Sequence, residues 1–346
     1  MDTKRIEWID SARGFAMLSV VICHIANGFY RSQMLIQYEQ ILYSIQKICN
    51  SFQMPLFCIV SGFLFGKFYL SENNVVNKDK VRKQVINFAL LYLIWSILFG
   101  IVKVFMGGSV NDIVKPIDIL LIPVNPIGVY WWLYVLIFIY ILVSVALEKR
   151  INKALLISFS FILYLVSSML IKAEWTQWFE IRRIVYYFFI FLVGIGCQRI
   201  KDKMKYWPIV LLAFTLSIVL IVIFWNRNEE LYHIPIINAV LAILLSLSIF
   251  WVFENSSILS RSRLLKLMGK HSLEIFLIHV FITAGSRFLI AKLPSEGAIV
   301  YLIIILTMTI FLPIIIGNLS KKVGVYNYLF CPYKVTEVHK KARPEV

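Results

Sequence analysis

Residues 129 to 147 read Val-Tyr-Trp-Trp-Leu-Tyr-Val-Leu-Ile-Phe-Ile-Tyr-Ile-Leu-Val-Ser-Val-Ala-Leu, an unbroken apolar run with no charged side chain. An α-helix rises about 1.5 Å per residue, so a run of this length covers the roughly 30 Å hydrocarbon core of a bilayer. Runs of similar length recur on both sides of it. They give ten expected spans at roughly 10–30, 52–70, 85–105, 129–147, 154–171, 184–198, 207–225, 234–253, 272–290 and 298–316. Of the 346 residues, 60% are hydrophobic and 16% charged, too few to make a water-soluble surface. The expected fold class is therefore all-α: a polytopic integral membrane helical bundle of about ten transmembrane helices. Disordered chains, disulfide-stapled secreted folds and cytosolic nucleotide-binding domains do not tolerate this much contiguous apolar sequence.

The net charge of +16 is informative through its placement. With the N-terminus inside, one side holds Lys4, Arg5, the loops at 67–83, 148–153, 199–205 and 261–270, and the tail. These segments carry 24 of the 35 basic residues, against 8 (Arg31, Lys47, Lys115, Lys172, Arg182, Arg183, Arg227 and Lys292) on the opposite side. That bias sets both termini in the cytoplasm and leaves no reason to expect a nucleic-acid partner. The basic-then-apolar start lacks a small-residue cleavage pattern, so a retained first helix is expected. The organisation expected is a membrane domain over 1–320 and a basic cytoplasmic tail over 321–346. Cys23, Cys49, Cys58, Cys197 and Cys331 lack metal-type spacing, as do the histidines and carboxylates, so no metal site is expected.

An ionisable side chain at mid-depth costs at least about 2.5–3.5 kcal/mol on insertion scales, and the first helix holds the most. It reads Asp10-Ser11-Ala12-Arg13-Gly14, then an apolar run to Cys23-His24 and Asn27. Eleven residues at about 100° each bring His24 to within about 20° of three turns from Arg13, so both share a face. Asp10 lies about 40° off that line and three residues from Arg13, close enough for a local ion pair. Arg13 and His24 are about 16 Å apart along the axis, too far for contact. They suit an elongated ligand with an anionic end, and acyl-coenzyme A has that shape. The alternative is that Arg13 snorkels while pairing with Asp10, and His24 hydrogen-bonds a neighbouring helix.

The segment Ile9-Asp10-Ser11-Ala12-Arg13-Gly14-Phe15-Ala16 leading to His24 resembles the opening helix of the acyltransferase 3 family of membrane O-acyltransferases, whose hallmark is an arginine, ten residues and a histidine. Phe52-Gln53-Met54-Pro55-Leu56-Phe57 through Val60-Ser61-Gly62-Phe63-Leu64-Phe65 is similar to the second-helix signature of the fucose 4-O-acetylase-like branch. Weaker echoes follow at Trp131-Trp132-Leu133, at Arg183 before Phe188 to Gly194, and at Gly269-Lys270-His271-Ser272-Leu273-Glu274 through His279. The branch usually has histidine where this chain has Gln53. An amide still donates and accepts hydrogen bonds but carries no proton. No extracytoplasmic hydrolase-like domain is evident.

The resemblance implies transfer of an acyl group, most often acetyl, from cytoplasmic acetyl-CoA to a hydroxyl of a cell-surface glycan or its lipid-linked precursor, in a bacterial cytoplasmic membrane. Acyl-CoA is a substrate here, and no bound cofactor is expected. An unactivated sugar hydroxyl needs a base, and histidine titrates nearest neutrality. His24 takes that role, Arg13 anchors the donor and Asp10 orients Arg13. Arg82 and Lys83 are candidates for the donor's phosphates, with a topology signal as the alternative. Gln53, Trp132, Arg183, Glu274 and His279 are candidates for acceptor binding. Interfacial anchoring is the alternative for Trp132 and Arg183, and an interhelical bond for His279. A sugar transporter is the competing class, since buried ionisable groups also serve transport.

Overall fold

The computed structural model describes residues 6–32, 35–107, 113–170, 178–200, 207–226, 235–290 and 297–341. The longer helices are α1 (Glu7–Ser32), α2 (Glu39–Phe68), α3 (Lys78–Met106), α5 (Trp131–Glu148), α6 (Lys153–Met169) and α7 (Ile181–Arg199), with a short α4 (Pro116–Leu120) between α3 and α5. They continue as α8 (Trp207–Asn226), α9 (Pro235–Asn255), α10 (Ser257–Ser260), α11 (Arg263–Lys270), α12 (Ser272–Ile290) and α13 (Ala298–Lys322). Two short helices, α14 (Tyr326–Phe330) and α15 (Pro332–Lys341), follow. No strand occurs among the described residues beyond an isolated bridge between Leu70 and Val76.

Among the described residues six helices are long and apolar enough to cross a membrane: α1, α2, α3, α5, α9 and α13. α12 adds a seventh when joined to α11 across an 84° break. This is a multi-pass membrane protein. The expected spans at 154–171 and 207–225 fall on α6, of 17 residues, and α8, of 20 residues. That at 184–198 falls on α7, whose ends carry Arg182, Arg183 and Arg199. α2 is longer than expected, because polar residues from Glu39 to Asn50 continue the helix beyond the apolar run.

Position within the bundle follows from which faces are apolar. α1 is the central element, packed against α2, α9, α11, α12 and α13, with Ala12, Ala16, Met17 and Val21 sealed from all solvent. Peripheral helices leave large aliphatic side chains outward, such as Leu93, Ile97 and Ile101 on α3 and Ile299, Ile303 and Met308 on α13. In lipid these are the side chains that meet acyl tails. Helix association there relies on close packing, and small residues mark the tightest crossings. A methyl group on Gly14 would run into the Leu265 carbonyl of α11, and one on Gly269 into the Asp10 carbonyl of α1. Gly62 and Gly194 make the same reciprocal approach between α2 and α7.

Polar contacts sort the connections into two groups. Lys78–Glu148 at 2.8 Å, Lys266–Glu7 at 3.1 Å and Ser11 Oγ donating to the Ser260 carbonyl join segments that the charge pattern assigns to one side. At the other end the Phe179 amide donates to the Val124 carbonyl at 2.7 Å, joining the segment after α4 to that before α7.

The stretch beyond residue 320 continues the fold. Gly324, at φ +81°, turns the chain back after α13. Phe330 is fully buried, and Trp95 donates its indole N–H to the Leu329 carbonyl at 2.9 Å. α15 then follows the start of α3, the Tyr333 amide donating to Asn87 Oδ1 at 3.3 Å and Lys83 pairing with Glu337 at 2.6 Å.

Candidate active site

Arg13 reaches its place because Gly14 and Gly269 let α1 and α11 approach to backbone contact. The chain bends sharply at His271, and the first residue of α12, Ser272, then faces α1. Arg13 Nη2 donates to Ser272 Oγ at 2.8 Å. Two residues further along α12, buried Glu274 gathers His271 Nδ1 at 3.2 Å, the Tyr326 hydroxyl at 2.9 Å and Lys321 Nζ at 3.9 Å on a single carboxyl oxygen.

Arg13 and Ser272 line a cavity of about 650 Å³. Its basic mouth is formed by Lys80 and Lys83 of α3 and Lys334 of α15. The walls include Tyr69, Trp132, Tyr140 and Tyr333, and the inner end is apolar, with Val20, Met54, Phe57 and Phe276. None of the described lining residues is a carboxylate. Cys331 also lines it, and burial raises its thiol above the usual range, which Lys334 partly opposes.

Just past the inner end lie two imidazoles. Val20 is one helical turn before His24, and Phe276 one turn before His279, its ring centroid 6.2 Å from the His279 ring. The His24 and His279 rings are 5.1 Å apart by centroid, at an interplanar angle of 51°. His279 is fully buried, and its Nδ1 lies 3.0 Å from the Ile275 carbonyl and 2.8 Å from that of Phe276. Two acceptors require Nδ1 to carry the proton in the neutral ring, so Nε2 presents a lone pair. That Nε2 has no hydrogen-bond partner among the described residues.

Beside His24 runs a seam of amides between α1 and α2. Gln46 Nε2 donates to Asn27 Oδ1 at 3.1 Å, and Cys23 Sγ and Gln53 Nε2 both reach Asn50 Oδ1, at 3.3 and 2.9 Å. Gln53 is buried with its Oε1 unpartnered among the described residues. The seam therefore offers a buried acceptor linked through Asn50 to Cys23, the residue before His24.

The residues singled out from sequence fall into three places. Arg13, Lys83 and Trp132 line the cavity, whereas His24, His279 and Gln53 lie beyond its inner end or along the seam and are not in its lining. Asp10 is half-buried, its carbonyl facing Gly269, and Arg82 is exposed outside the cavity lining. Arg183 pairs with Glu180 at 2.6 Å and stacks 4.3 Å above Trp131, which contacts Trp132 edge-on. Burial raises the Glu180 carboxyl above the usual carboxylate range, opposed first by Arg183 and then Arg182. Glu274 stands apart from the cavity in its own network. Sequence reasoning passed over Ser272, Lys80, Tyr333 and Lys334. Only Ser272 carried a signal, through its place in the block leading to His279.

Among the described residues no three His, Cys, Asp or Glu side chains are grouped to hold a metal ion. A family model described as an acyltransferase domain, that of the acyltransferase 3 family, matches residues 6–318. The chain belongs to this family. Acyltransferase 3 members are membrane acyltransferases, and the match spans the arginine, the histidine pair and nearly all the helices described. No curated protein and no solved structure matches the chain.

Proposed function

We propose that this protein moves an acyl group, most simply acetyl, from cytoplasmic acetyl-CoA to a hydroxyl of a cell-surface polysaccharide or its lipid-linked sugar precursor. The protein acts in a bacterial cytoplasmic membrane, as a bundle of ten spans with both termini inside, and belongs to the fucose 4-O-acetylase-like branch. The observation that carries this reading is the order of groups along one path: a basic mouth, then Arg13, then an apolar inner end one helical turn short of two imidazoles. A thioester on a long anionic carrier fits that order. Its phosphates stay at the lysines, Arg13 holds the carrier from the donor side, and the acyl end reaches toward His24.

The acceptor hydroxyl oxygen attacks the thioester carbon while its proton passes to the His24 imidazole. The tetrahedral intermediate then collapses, the C–S bond breaks, and the departing thiolate takes the proton back from the imidazolium. His279, with its Nε2 lone pair facing this region, orients His24 or the incoming hydroxyl. Gln53 Oε1, Trp132 and Arg183 provide acceptor contacts, with Gln53 serving by hydrogen bonding where its branch relatives use histidine.

The test is transfer of radiolabelled acetyl from acetyl-CoA to host-cell glycan by purified protein in lipid, comparing wild type with His24→Ala. A positioned base contributes at least about a hundredfold, so transfer falls by that factor in the variant. Undiminished labelling removes His24 from the chemistry. Sugar uptake into vesicles that needs no CoA overturns the transferase reading in favour of transport.

A further inference from the structure

The cavity mouth is built partly from a segment that follows the last membrane helix. α14 is anchored by Phe330, by the Leu329 carbonyl on the Trp95 indole and by Tyr326 on Glu274. These contacts fix the start of α15, which places Cys331, Tyr333 and Lys334 on the cavity wall opposite α2 and α12. Lys80 of α3 stands at the same mouth, its ammonium donating to the Phe68 carbonyl at the end of α2 at 3.3 Å. Three lysines and Arg13 thus line a cavity without a carboxylate among its described lining residues. That is a charge balance suited to several phosphate groups and unsuited to a neutral sugar.

One acid does reach the mouth from outside the lining. Glu337, one turn beyond Tyr333 on α15, holds Lys83 at 2.6 Å and accepts the Tyr333 hydroxyl at 3.1 Å. A carboxylate held on a phosphate-binding lysine competes with phosphate for the same ammonium. The pair is half-exposed, so it is weak enough for a polyanion to displace.

We infer that the C-terminal segment is part of the donor site: Lys334 and Lys80 act with Lys83 on the phosphates of coenzyme A, and Glu337 is a latch on Lys83 that the donor displaces. This rests on the reading of acyl-CoA as donor. It adds two lysines and a competing carboxylate that the transfer chemistry alone does not call for. Displacing Glu337 also frees the Tyr333 hydroxyl, which lines the same cavity.

The experiment measures binding of coenzyme A and of pantetheine, its phosphate-free arm, to the full-length protein in lipid nanodiscs. Wild type is compared with Lys80→Gln, Lys334→Gln and Glu337→Gln, all on side chains at least partly open to solvent. The lysine variants are expected to bind coenzyme A about five- to tenfold more weakly, and Glu337→Gln about threefold more tightly, with pantetheine unchanged in all. Failure of wild type to bind coenzyme A refutes the donor reading itself. Binding of coenzyme A that neither lysine variant weakens, with wild type binding normally, overturns the inference about the C-terminal segment. Glu337→Gln that binds no more tightly than wild type overturns the latch.

Discussion

The imidazoles of His24 and His279 face each other across α1 and α12 with centroids 5.1 Å apart, and only one of the two has its tautomer fixed by backbone. His279 spends Nδ1 on two carbonyls of its own helix, so any further bond it makes is through the Nε2 lone pair. Among the described residues no backbone carbonyl holds His24 in this way, and under the reading proposed above it is the ring that exchanges the proton. In the proposed mechanism this makes His279 the orienting group and His24 the base.

If His279 positions His24 or the hydroxyl, its removal acts on turnover and spares the donor. His279→Ala is expected to lower kcat on the order of tenfold to a hundredfold, with the KM for acetyl-CoA within about twofold of wild type. His279→Gln, whose amide oxygen can replace the lone pair, recovers part of the loss. Steady-state kinetics with both substrates varied separates the two parameters. Equal kcat in all three proteins would reduce His279 to a packing residue.

The close crossing of α1 and α11 makes a second expectation, on stability. Gly14 and Gly269 each face a backbone carbonyl of the other helix, and backbone cannot yield as a side-chain tip can. Gly14→Ala or Gly269→Ala is expected to cost about 1–3 kcal/mol or more by overpacking. Either also displaces Arg13 from Ser272, so donor binding falls with stability. Gly196, on the exposed face of α7 with nothing near its Cβ position, is the control. Gly196→Ala in a helix interior is neutral or stabilising by up to about 1 kcal/mol. Thermal unfolding in detergent compares the three, and a tolerated Gly14→Ala would show that the crossing can open.

What the sequence made legible follows from which constraints are local. A bilayer demands length, so the runs that became α3, α5 and α13 stand out without any knowledge of neighbours. The shared face of Arg13 and His24 was equally plain, since helical periodicity alone fixes it. α6, α7 and α8 were read as spans on the same composition, but they stand out less clearly, α6 having 17 residues and α7 carrying arginines at both ends. The approach of His279 to His24 and of Ser272 to Arg13 lay out of reach, because each depends on the bend at His271 and on two glycines meeting across helices. Lys334 was hidden for a different reason. A basic stretch after the last apolar run reads as a solvated tail until Trp95 and Asn87 are seen to hold it.

Glu274 gives the last expectation, because one buried carboxyl oxygen serves three partners from three segments. His271 lies at the bend, Lys321 at the end of α13 and Tyr326 at the start of α14, so this group ties the broken helix to the C-terminal segment. Removing the carboxyl leaves buried His271 without its partner, at a cost of about 1–3 kcal/mol. Glu274→Ala is expected to lose stability on that scale and to expose the chain after α13 to limited proteolysis. Tyr326→Phe deletes the hydrogen bond to Glu274, worth about 1 kcal/mol, and should leave the proteolytic pattern near that of wild type. Since the same segment carries Lys334 to the cavity mouth, Glu274→Ala should also weaken coenzyme A binding without touching the cavity lining. A Glu274→Ala protein as stable and as protease-resistant as wild type would mean that Phe330 and the Trp95 indole hold the segment by themselves.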